Sequence, residues 1–366
     1  MIAEKIPAGE IKKIVILNTI PDTIGDSLFL TPVFRILKKN FPEKHLAITT
    51  TPKSAELFRN NPYLDELILF PEMEKIGGNV SKLRKAAIYF RLMFKIAKEL
   101  GQKNFDLAII PQPNFFLAQL LPFLAGIKYS IGYKYPGSVF SFLLTKAVKF
   151  FDPGSYPDRH YLESNLDLIK PLNPKFNQGD KRMLRVVTRQ ELNDAKKLLK
   201  KYKIKGKFIC FQAGAKWKRK QWPQYGFREL AEILAQKSYK ILLFGSSNEW
   251  QLNEEVKGSN KNAINLSGKV SLSEIAAILK LSKLLVGNDS GLIHLASSVG
   301  TRTVAIYGTT SLKHSRTIGY AKGVQVFNKK ALPSKLYMNE SDECDERMAA
   351  IQVNDVLNAA IRQLRS

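Results

Sequence analysis

The sequence predicts an α/β protein with two doubly wound parallel sheets, and two observations lead to this prediction. Short apolar runs with polar flanks, typical of buried parallel strands, alternate with longer stretches of helical periodicity. This alternation occurs twice, before and after a segment at 171–180 where Pro, Asn and Gly accumulate without periodicity. A chain of 366 residues is long enough for two domains with separate cores.

The composition indicates a globular protein with an anionic partner. Lys and Arg exceed Asp and Glu by 57 − 32 = +25, and such a charge favours nucleic acid, anionic membranes or phosphorylated ligands. Cys210 and Cys344 lie far apart and suggest neither a disulfide framework nor a metal site. The most apolar segment, 115–126, is too short to span a bilayer and contains Pro122, and the N-terminus lacks the apolar core of a secretory signal. We therefore expect a protein of a reducing compartment that is not integral to a membrane.

The first predicted domain covers residues 1–175. Its buried strands are predicted at 12–18, 45–51, 66–70 and 106–111, with a helix over 27–41 that ends in basic residues.

A basic amphipathic helix is predicted at 80–100. One apolar stripe contains Leu83, Ala87, Phe90, Phe94 and Ala97. Four lysines are predicted to lie outside that stripe: Lys82, Lys85, Lys95 and Lys98. Such a helix either covers a sheet or contacts a membrane interface. The Phe-, Tyr- and Lys-rich region at 115–151 would also suit an amphiphilic, anionic partner.

The second predicted domain covers residues 181–345. Two capping boxes, Thr188 with Glu191 and Ser271 with Glu274, mark the starts of helices. Strands are predicted at 207–214, 240–246, 284–287 and 303–308. The last helix, in 346–366, is amphipathic, and we expect it to pack back on the first domain.

Residues 286–300, VGNDSGLIHLASSVG, contain the most informative turn. A buried strand ends at Asn288-Asp289-Ser290-Gly291 and opens directly into a helix that contains His294. The free N–H groups of such a helix can bind an anion, and ligands of α/β folds bind at the carboxyl edge of the sheet. The alternative is that Asp289 or Ser290 only caps the helix.

A second polar turn, at 24–32, follows the first strand of the chain. Gly25 permits a tight turn, and Asp26 lies at the start of the next helix. Asp26 is either a plain N-cap or a general base for an incoming hydroxyl. Asp22 is a second carboxylate in the same turn.

Two further loops at predicted strand ends carry candidate ligand groups. The loop 212–223 begins with small residues around Gly214 and ends in a basic run that includes Lys220. It can cradle phosphate through backbone N–H groups and lysine, although it lacks Walker A spacing and could be a solvated basic turn. In the loop 244–250, Glu249 is placed to accept hydrogen bonds from ribose hydroxyls.

Together these motifs resemble glycosyltransferase family 9, the heptosyltransferases of the lipopolysaccharide inner core. The resemblance rests on five stretches from about Lys12 to Gly308: IGDSLFLTPVFRILKKNFP, KQWP, the Gly245-to-Glu249 turn, NLSGKVSLSEIAAIL, and VGNDSGLIHLASSVG followed by TVAIYG. It implies the GT-B fold, with two Rossmann-like domains facing a central cleft, and no required metal or other cofactor.

The resemblance also implies site roles. Asp26 matches the catalytic base and Lys220 the lysine that holds the donor phosphate. The remaining donor-binding residues would be Gly214, Glu249, Asp289, Ser290, Gly291 and His294.

The implied activity is inverting, metal-independent transfer of heptose from ADP-heptose to a lipopolysaccharide inner-core acceptor. The implied partners are a nucleotide sugar, an anionic lipid-linked saccharide and the inner face of the cytoplasmic membrane, with no nucleic acid. Three alternatives are another nucleotide-sugar donor, an inactive scaffold, and a nucleic-acid-binding protein. The sequence contains no RRM, KH or helix-turn-helix pattern to support the last. The acceptor hydroxyl, the oligomeric state and any contribution of Asp22 are left open.

Overall fold

The computed structural model divides into two compact α/β units. The residues it describes are 6–18, 23–70, 81–111, 116–135, 137–150, 159–308, 310, 312–321, 323–327 and 346–365, with backbone only at 82, 83, 85, 86, 89, 116 and 117. The first unit consists of the described residues within 1–152 and 161–181. The second consists of those within 153–160 and 182–366.

The first unit contains a six-stranded parallel sheet. Its strands are β1 Lys13–Leu17, β2 His45–Thr50, β3 Glu66–Leu69, β4 Leu107–Ile110, β5 Tyr129–Lys134 and β6 Lys146–Lys149. Its helices are α1 Ile24–Leu28, α2 Thr31–Asn40, α3 Pro52–Phe58, α4 Lys82–Gln102, α5 Leu121–Leu124 and α6 Tyr161–Asp167. The strand order is β3-β2-β1-β4-β5-β6, the order of a Rossmann-type sheet.

The second unit repeats this topology. Its strands are β7 Phe208–Gln212, β8 Lys240–Leu243, β9 Ala263–Asn265, β10 Leu285–Asn288, β11 Thr303–Tyr307 and β12 Gly323–Phe327. Its helices are α7 Arg189–Lys201, α8 Gln224–Gln236, α9 Trp250–Lys257, α10 Leu272–Leu281, α11 Gly291–Ser298, α12 Leu312–Ser315, α13 Glu346–Ala349 and α14 Val353–Arg365. The order β12-β11-β10-β7-β8-β9 is the first unit's order read from the opposite edge. Both sheets confirm the predicted doubly wound fold.

The two predicted capping boxes are present at the starts of α7 and α10. The helix predicted over 27–41 is divided into α1 and α2. Pro32 lies in the first turn of α2, where its fixed backbone angle suits a helix start.

The apolar stripe predicted for α4 is only partly confirmed: Ala97 is buried, but Ala87, Phe90 and Phe94 are exposed. The side chains of Leu83, Lys82 and Lys85 lie outside the described residues. Met93, Ala97 and Leu100 are the buried residues, and they belong to the core of the first unit. Phe90 and Phe94, which were predicted to lie on the apolar stripe, have 48% and 57% of their surface exposed. The apolar residues of α4 form more than one periodic stripe, and packing against β4 and α5 selects the stripe that includes Met93.

The expectation that the last helix packs on the first domain is also corrected. Helix α14 packs on α8, β11 and β12 of the second unit. Its buried face of Val356, Ala359 and Ala360 belongs to the core beneath that sheet. An amphipathic pattern identifies the apolar face of a helix but not the sheet that receives it.

The segment at 171–180, expected to be a linker, is anchored to the first unit near its end. Lys39 Nζ lies 2.6 Å from Asp180 Oδ1, and the Arg35 guanidinium donates to the Asp180 carbonyl at 3.1 Å. Asp180 is buried. The change from one unit to the other therefore falls after Lys181, a few residues beyond the predicted boundary at 175.

Candidate active site

The candidate site lies at the carboxyl edge of the second sheet. Strands β8, β7, β10 and β11 are consecutive neighbours in this parallel sheet. The segments that follow them contain Glu249, Gly214 to Lys220, Asp289 and, at the end of the short helix α12, Ser315, respectively. The topology thus places four polar segments side by side where α/β folds bind ligands.

Asn288 ties the basic loop to the sheet. Its side-chain amide donates to the Ala213 carbonyl at 2.6 Å and accepts from the Trp222 N–H at 2.9 Å. The two ends of the loop are therefore held by one fully buried side chain. The Trp222 indole, 1% exposed, donates in turn to the Ile351 carbonyl at 2.9 Å. The sequence did not predict that Asn288 and Trp222 anchor the basic loop, because the two residues are brought together only by the pairing of β7 with β10.

Lys220 forms an ion pair with Asp289. Lys220 Nζ lies 2.9 Å from Asp289 Oδ2, with 19% and 5% of the two side chains exposed. Burial opposes ionisation of Asp289, but the nearby Lys220 ammonium, together with His294 and a hydrogen bond from Thr310, keeps the pKa of Asp289 below its usual value. Lysine has three N–H donors, and Asp289 accepts from one of them. The structure thus brings together two predicted site residues that are 69 positions apart.

The Trp217 indole lies beside two cations of the same loop. Its ring centroid is 5.3 Å from Lys220 Nζ and 5.0 Å from the Arg219 guanidinium carbon. Cation–π attraction at such distances favours a fixed position for both charges. Trp217 was not predicted as a site residue, and its position within the basic run is the only signal the sequence offers.

Three side chains surround Asp289 in addition to Lys220. His294 on α11 is buried, and burial lowers the pKa of its imidazole to about 4, although Asp289 acts in the opposite direction. Ser315 Oγ donates to Asp289 Oδ2 at 3.4 Å, and Thr310 also hydrogen-bonds to the carboxylate. Ser315 and Thr310 lie in a segment without a recognisable motif and were not predicted.

A second buried histidine lies near this cluster. His160 Nε2 lies 2.8 Å from the Arg316 carbonyl, and burial lowers the pKa of His160 to about 4. His294 and His314 are close enough to contribute electrostatically to that shift. His160 and His294 are therefore neutral imidazoles near neutral pH.

Ser290 and Gly291 occupy the start of α11, as predicted. The Ser290 hydroxyl does not cap the helix but donates to Gln212 Oε1 on the neighbouring strand. Gln212 Nε2 also donates to the Gly214 carbonyl at 2.9 Å. Gln212 therefore links the turn after β10 to the start of the basic loop.

Glu249 combines a structural contact with a position at the site. Its Oε2 accepts from the Ser246 N–H at 2.6 Å and from the Ser246 hydroxyl at 2.9 Å, which makes a capping box. Its Oε1 points toward Gly214, where any added methyl group would overlap the carboxylate. The structure therefore brings Gly214 and Glu249 into direct contact.

Asp26 belongs to the first unit, in the five-residue helix α1 after β1. Its side chain is exposed, and Thr23 rather than Asp26 is the N-cap residue. The interpretation of Asp26 as a plain N-cap is therefore wrong. Asp22, also considered for the site, lies outside the described residues.

Within the described ranges, no group of three or more His, Cys, Asp or Glu residues could hold a metal ion. In the same ranges, no helix is both long and apolar enough to cross a bilayer.

Comparison with known families identifies the chain. The model of glycosyltransferase family 9 (heptosyltransferase) matches residues 93–343, more than half of the sequence. The chain belongs to glycosyltransferase family 9. Family membership confirms that it is a glycosyltransferase, as the resemblance implied.

Similarity to other glycosyltransferase family 9 proteins extends over most of the chain. The lipooligosaccharide heptosyltransferase 2 of Haemophilus ducreyi is 28% identical over 332 residues, which cover 82% of this chain and 84% of that protein. The structure of E. coli ADP-heptose lps heptosyltransferase II matches with a TM-score of 0.75 at 21% identity, covering 96% of this chain and 98% of that one. A glycosyltransferase family 9 structure from Veillonella parvula matches with a TM-score of 0.78 at 20% identity and covers 97% of both chains. These structures support the GT-B fold class, with its two Rossmann-like units.

Proposed function

We propose that this protein transfers heptose from ADP-heptose to an inner-core lipopolysaccharide acceptor, with inversion at the anomeric carbon and without a metal ion. Relatives that carry the name heptosyltransferase cover most of the chain. The observation that carries the proposal is the nearly buried Lys220–Asp289 pair, together with the Gly214–Glu249 contact at the same edge of the sheet. This arrangement offers a cation for a diphosphate and carboxylates for hydroxyl groups.

The leaving group determines the proposed role of Lys220. As the bond between the anomeric carbon and the phosphate oxygen breaks, negative charge accumulates on the diphosphate. The Lys220 ammonium, with N–H donors beyond the one used by Asp289, can stabilise that charge. The N-terminus of α11 at Ser290 and Gly291 adds backbone donors and the positive end of a helix dipole. A divalent ion is then not needed to neutralise the diphosphate.

Carboxylates would bind the donor's hydroxyl groups. We propose that Glu249 accepts from the ribose through Oε1, since Oε2 already accepts from Ser246. Asp289 would hold the donor sugar, with His294 as a neutral, buried neighbour. Gly214 leaves room for the Glu249 carboxylate.

Asp26 is the proposed general base. It would take the proton of the acceptor hydroxyl as that oxygen bonds to the anomeric carbon and the diphosphate leaves from the opposite face. A single displacement of this kind inverts the configuration. An exposed carboxylate in the short helix after β1 is accessible to an incoming hydroxyl.

The acceptor lipid implies a location at the inner face of the cytoplasmic membrane. The excess of basic residues, +25, supports attraction to an anionic surface.

The direct test is a donor screen with a defined inner-core acceptor. The assay measures the product mass, the rate at which nucleoside diphosphate is released with and without EDTA, and the NMR coupling constant at the new anomeric centre. The coupling constant reports the anomeric configuration of the product. We expect ADP-heptose to be the preferred donor, an inverted product and a rate unchanged by EDTA. Preference for another nucleotide sugar would contradict the donor assignment, and loss of activity with EDTA would contradict the proposed stabilisation of the leaving group.

A further inference from the structure

Helix α4 presents aromatic and basic side chains on one exposed face. Ala87, Phe90, Arg91, Phe94, Lys95 and Lys98 are all exposed, and their spacing follows the helical repeat. We call this set the α4 outer face. The buried stripe of Met93, Ala97 and Leu100 lies on the side of the helix that faces the core.

The exposed rings are unusual for a helix that covers a sheet. Phe90 and Phe94 lie one turn apart and have 48% and 57% of their surface exposed. The sheet is already covered by the Met93 stripe, so these rings are not needed for the core. Adjacent exposed aromatic side chains are a feature of surfaces that contact a partner or a membrane.

The charges on the helix that carries the rings are predominantly positive. Helix α4 contains six basic residues and one acidic residue, Glu99. A groove of about 630 Å³ along the helix is lined by Ile88, Arg91, Leu92, Phe94, Lys95 and Lys98. The lining combines apolar side chains with three cations, which is complementary to an anionic headgroup above an acyl chain.

We infer that the α4 outer face docks on the surface of an anionic lipid bilayer, with Phe90 and Phe94 inserted at the headgroup boundary. Arg91, Lys95 and Lys98 contact the lipid phosphates. The same chemistry applies to interfacial helices, in which apolar rings enter the membrane and cations remain at headgroup level. This inference deepens the membrane location given under the proposed function, but it does not depend on the identity of the donor or the acceptor.

The first experiment is co-sedimentation of the full chain with vesicles of phosphatidylcholine alone or with 30 mol% phosphatidylglycerol. We expect binding to the anionic vesicles that weakens as salt increases, because screening shortens electrostatic reach to roughly 8 Å at physiological ionic strength. Each basic residue at such a surface contributes about fivefold to the partition coefficient. The Arg91→Gln/Lys95→Gln/Lys98→Gln variant should therefore bind about a hundredfold more weakly.

A charge-matched control separates docking through α4 from general attraction. Lys196, Lys200 and Lys201 are exposed on α7 of the second unit. Replacing these three lysines with Gln changes the net charge by the same amount as the triple Gln variant of α4. We expect this control variant to bind anionic vesicles nearly as well as the wild type. An equal loss in both triple variants would overturn the assignment to the α4 outer face.

A second experiment tests insertion of the rings. In vesicles with brominated acyl chains, the added fluorescence of a Phe94→Trp variant should be quenched. The added fluorescence of a Tyr320→Trp variant, at an exposed position of the second unit, should not be. A Phe90→Ser/Phe94→Ser variant should bind anionic vesicles several times more weakly while keeping its thermal midpoint. Equal quenching at both positions, or no quenching at either, would overturn insertion.

Two other occupants give distinct outcomes. If the face joined two copies of this chain, sedimentation velocity would show a dimer that the double Ser variant disrupts. If it bound nucleic acid, a gel shift with random DNA and RNA would depend on Arg91, Lys95 and Lys98 without vesicle binding. Either result would overturn the lipid assignment.

Transfer to a water-soluble acceptor fragment, measured in parallel, should be unchanged in the triple Gln and the double Ser variants of α4. Failure of docking and failure of the proposed activity are therefore distinguishable.

Discussion

Lys220 Nζ and Asp289 Oδ2, 2.9 Å apart, form a nearly buried ion pair that joins the loops after β7 and β10. Asp289 is the more buried partner, at 5% exposed. A buried carboxylate that loses its cation is destabilising, because the remaining charge has no compensation. We therefore expect the pair to stabilise the second unit and, under the proposed function, to contribute to diphosphate binding, and the two effects can be separated.

The first prediction concerns this pair. Lys220→Met should lower the free energy of unfolding by about 3 kcal/mol and weaken ADP binding at least tenfold, because one substitution removes both the partner of Asp289 and the phosphate cation. The double variant Lys220→Met/Asp289→Asn should regain most of the stability, since no buried charge remains, but not the ADP affinity. Urea denaturation and calorimetry measure the two quantities. Full recovery of ADP affinity in the double variant would contradict a role of Lys220 in phosphate binding.

The second prediction concerns the proposed base. Asp26→Asn should reduce kcat by about a hundredfold or more, because the amide cannot accept the acceptor's proton. ADP affinity should be unchanged, and the free energy of unfolding should decrease by about 1 kcal/mol at most, since the side chain is exposed in the first turn of α1. Asp194→Asn, at an exposed site on α7, is the matched control and should retain full activity. Undiminished kcat in Asp26→Asn would mean that another group is the base.

The third prediction tests the contact between Gly214 and Glu249. Gly214→Ala should displace the carboxylate, break the capping box with Ser246 and raise the KM for the donor about tenfold or more. In a Glu249→Ala background the same substitution should have little further effect, because the obstructing carboxylate is gone. Gly9→Ala, at a position with no neighbour within 4 Å, is the control and should be neutral. Additive effects of the Gly214 and Glu249 substitutions would show that the two residues act independently.

The fourth prediction follows from the buried histidines. The pKa values of His160 and His294 are lowered to about 4, mainly by burial. Between pH 6.5 and pH 4 the unfolded chain therefore binds more protons than the folded one, and the free energy of unfolding decreases as the pH decreases. At about 1.4 kcal/mol per pKa unit, each histidine accounts for a loss on the order of 3 kcal/mol.

His160→Gln tests this pH dependence. It should flatten the dependence of stability on pH across that window, and its stability relative to the wild type should be lowest at pH 7. Thermal midpoints at half-unit pH steps provide the measurement. An unchanged pH slope in the variant would contradict burial of a neutral imidazole.

The sequence predicted the central strands because they are nearly continuous apolar runs. It did not predict β5 or the outer strands β6, β9 and β12. The three outer strands are short or only partly buried, and their residues have no periodicity that distinguishes a strand from a loop. Strand β5 is buried except at Lys134, but its residues were grouped with the Phe-, Tyr- and Lys-rich region at 115–151. The buried side of α4 was predicted correctly only at Ala97, because apolar residues occur on more than one side of that helix. Only contact with the sheet determines which stripe is buried.

The candidate site was predicted one loop at a time. Strand ends followed by Gly, Asp or Glu located Gly214, Glu249 and Asp289 at one edge of the sheet. The contacts that couple those loops could not be predicted. The Asn288 and Trp222 contacts depend on strand register and on which sheet receives α14, and both of these are tertiary properties.

The hydrogen bond from the Trp222 indole to the Ile351 carbonyl also has a consequence for biosynthesis. One end of the loop that contains Lys220 is fixed by a residue that the ribosome adds 129 positions after Trp222. All strands of the second sheet precede Ile351, so the sheet can pair while this anchor is still unsynthesised or inside the exit tunnel. A nascent chain would then have a formed sheet edge while the loop that contains Lys220 is still held at one end only, and this loop would become fixed after Ile351 has emerged.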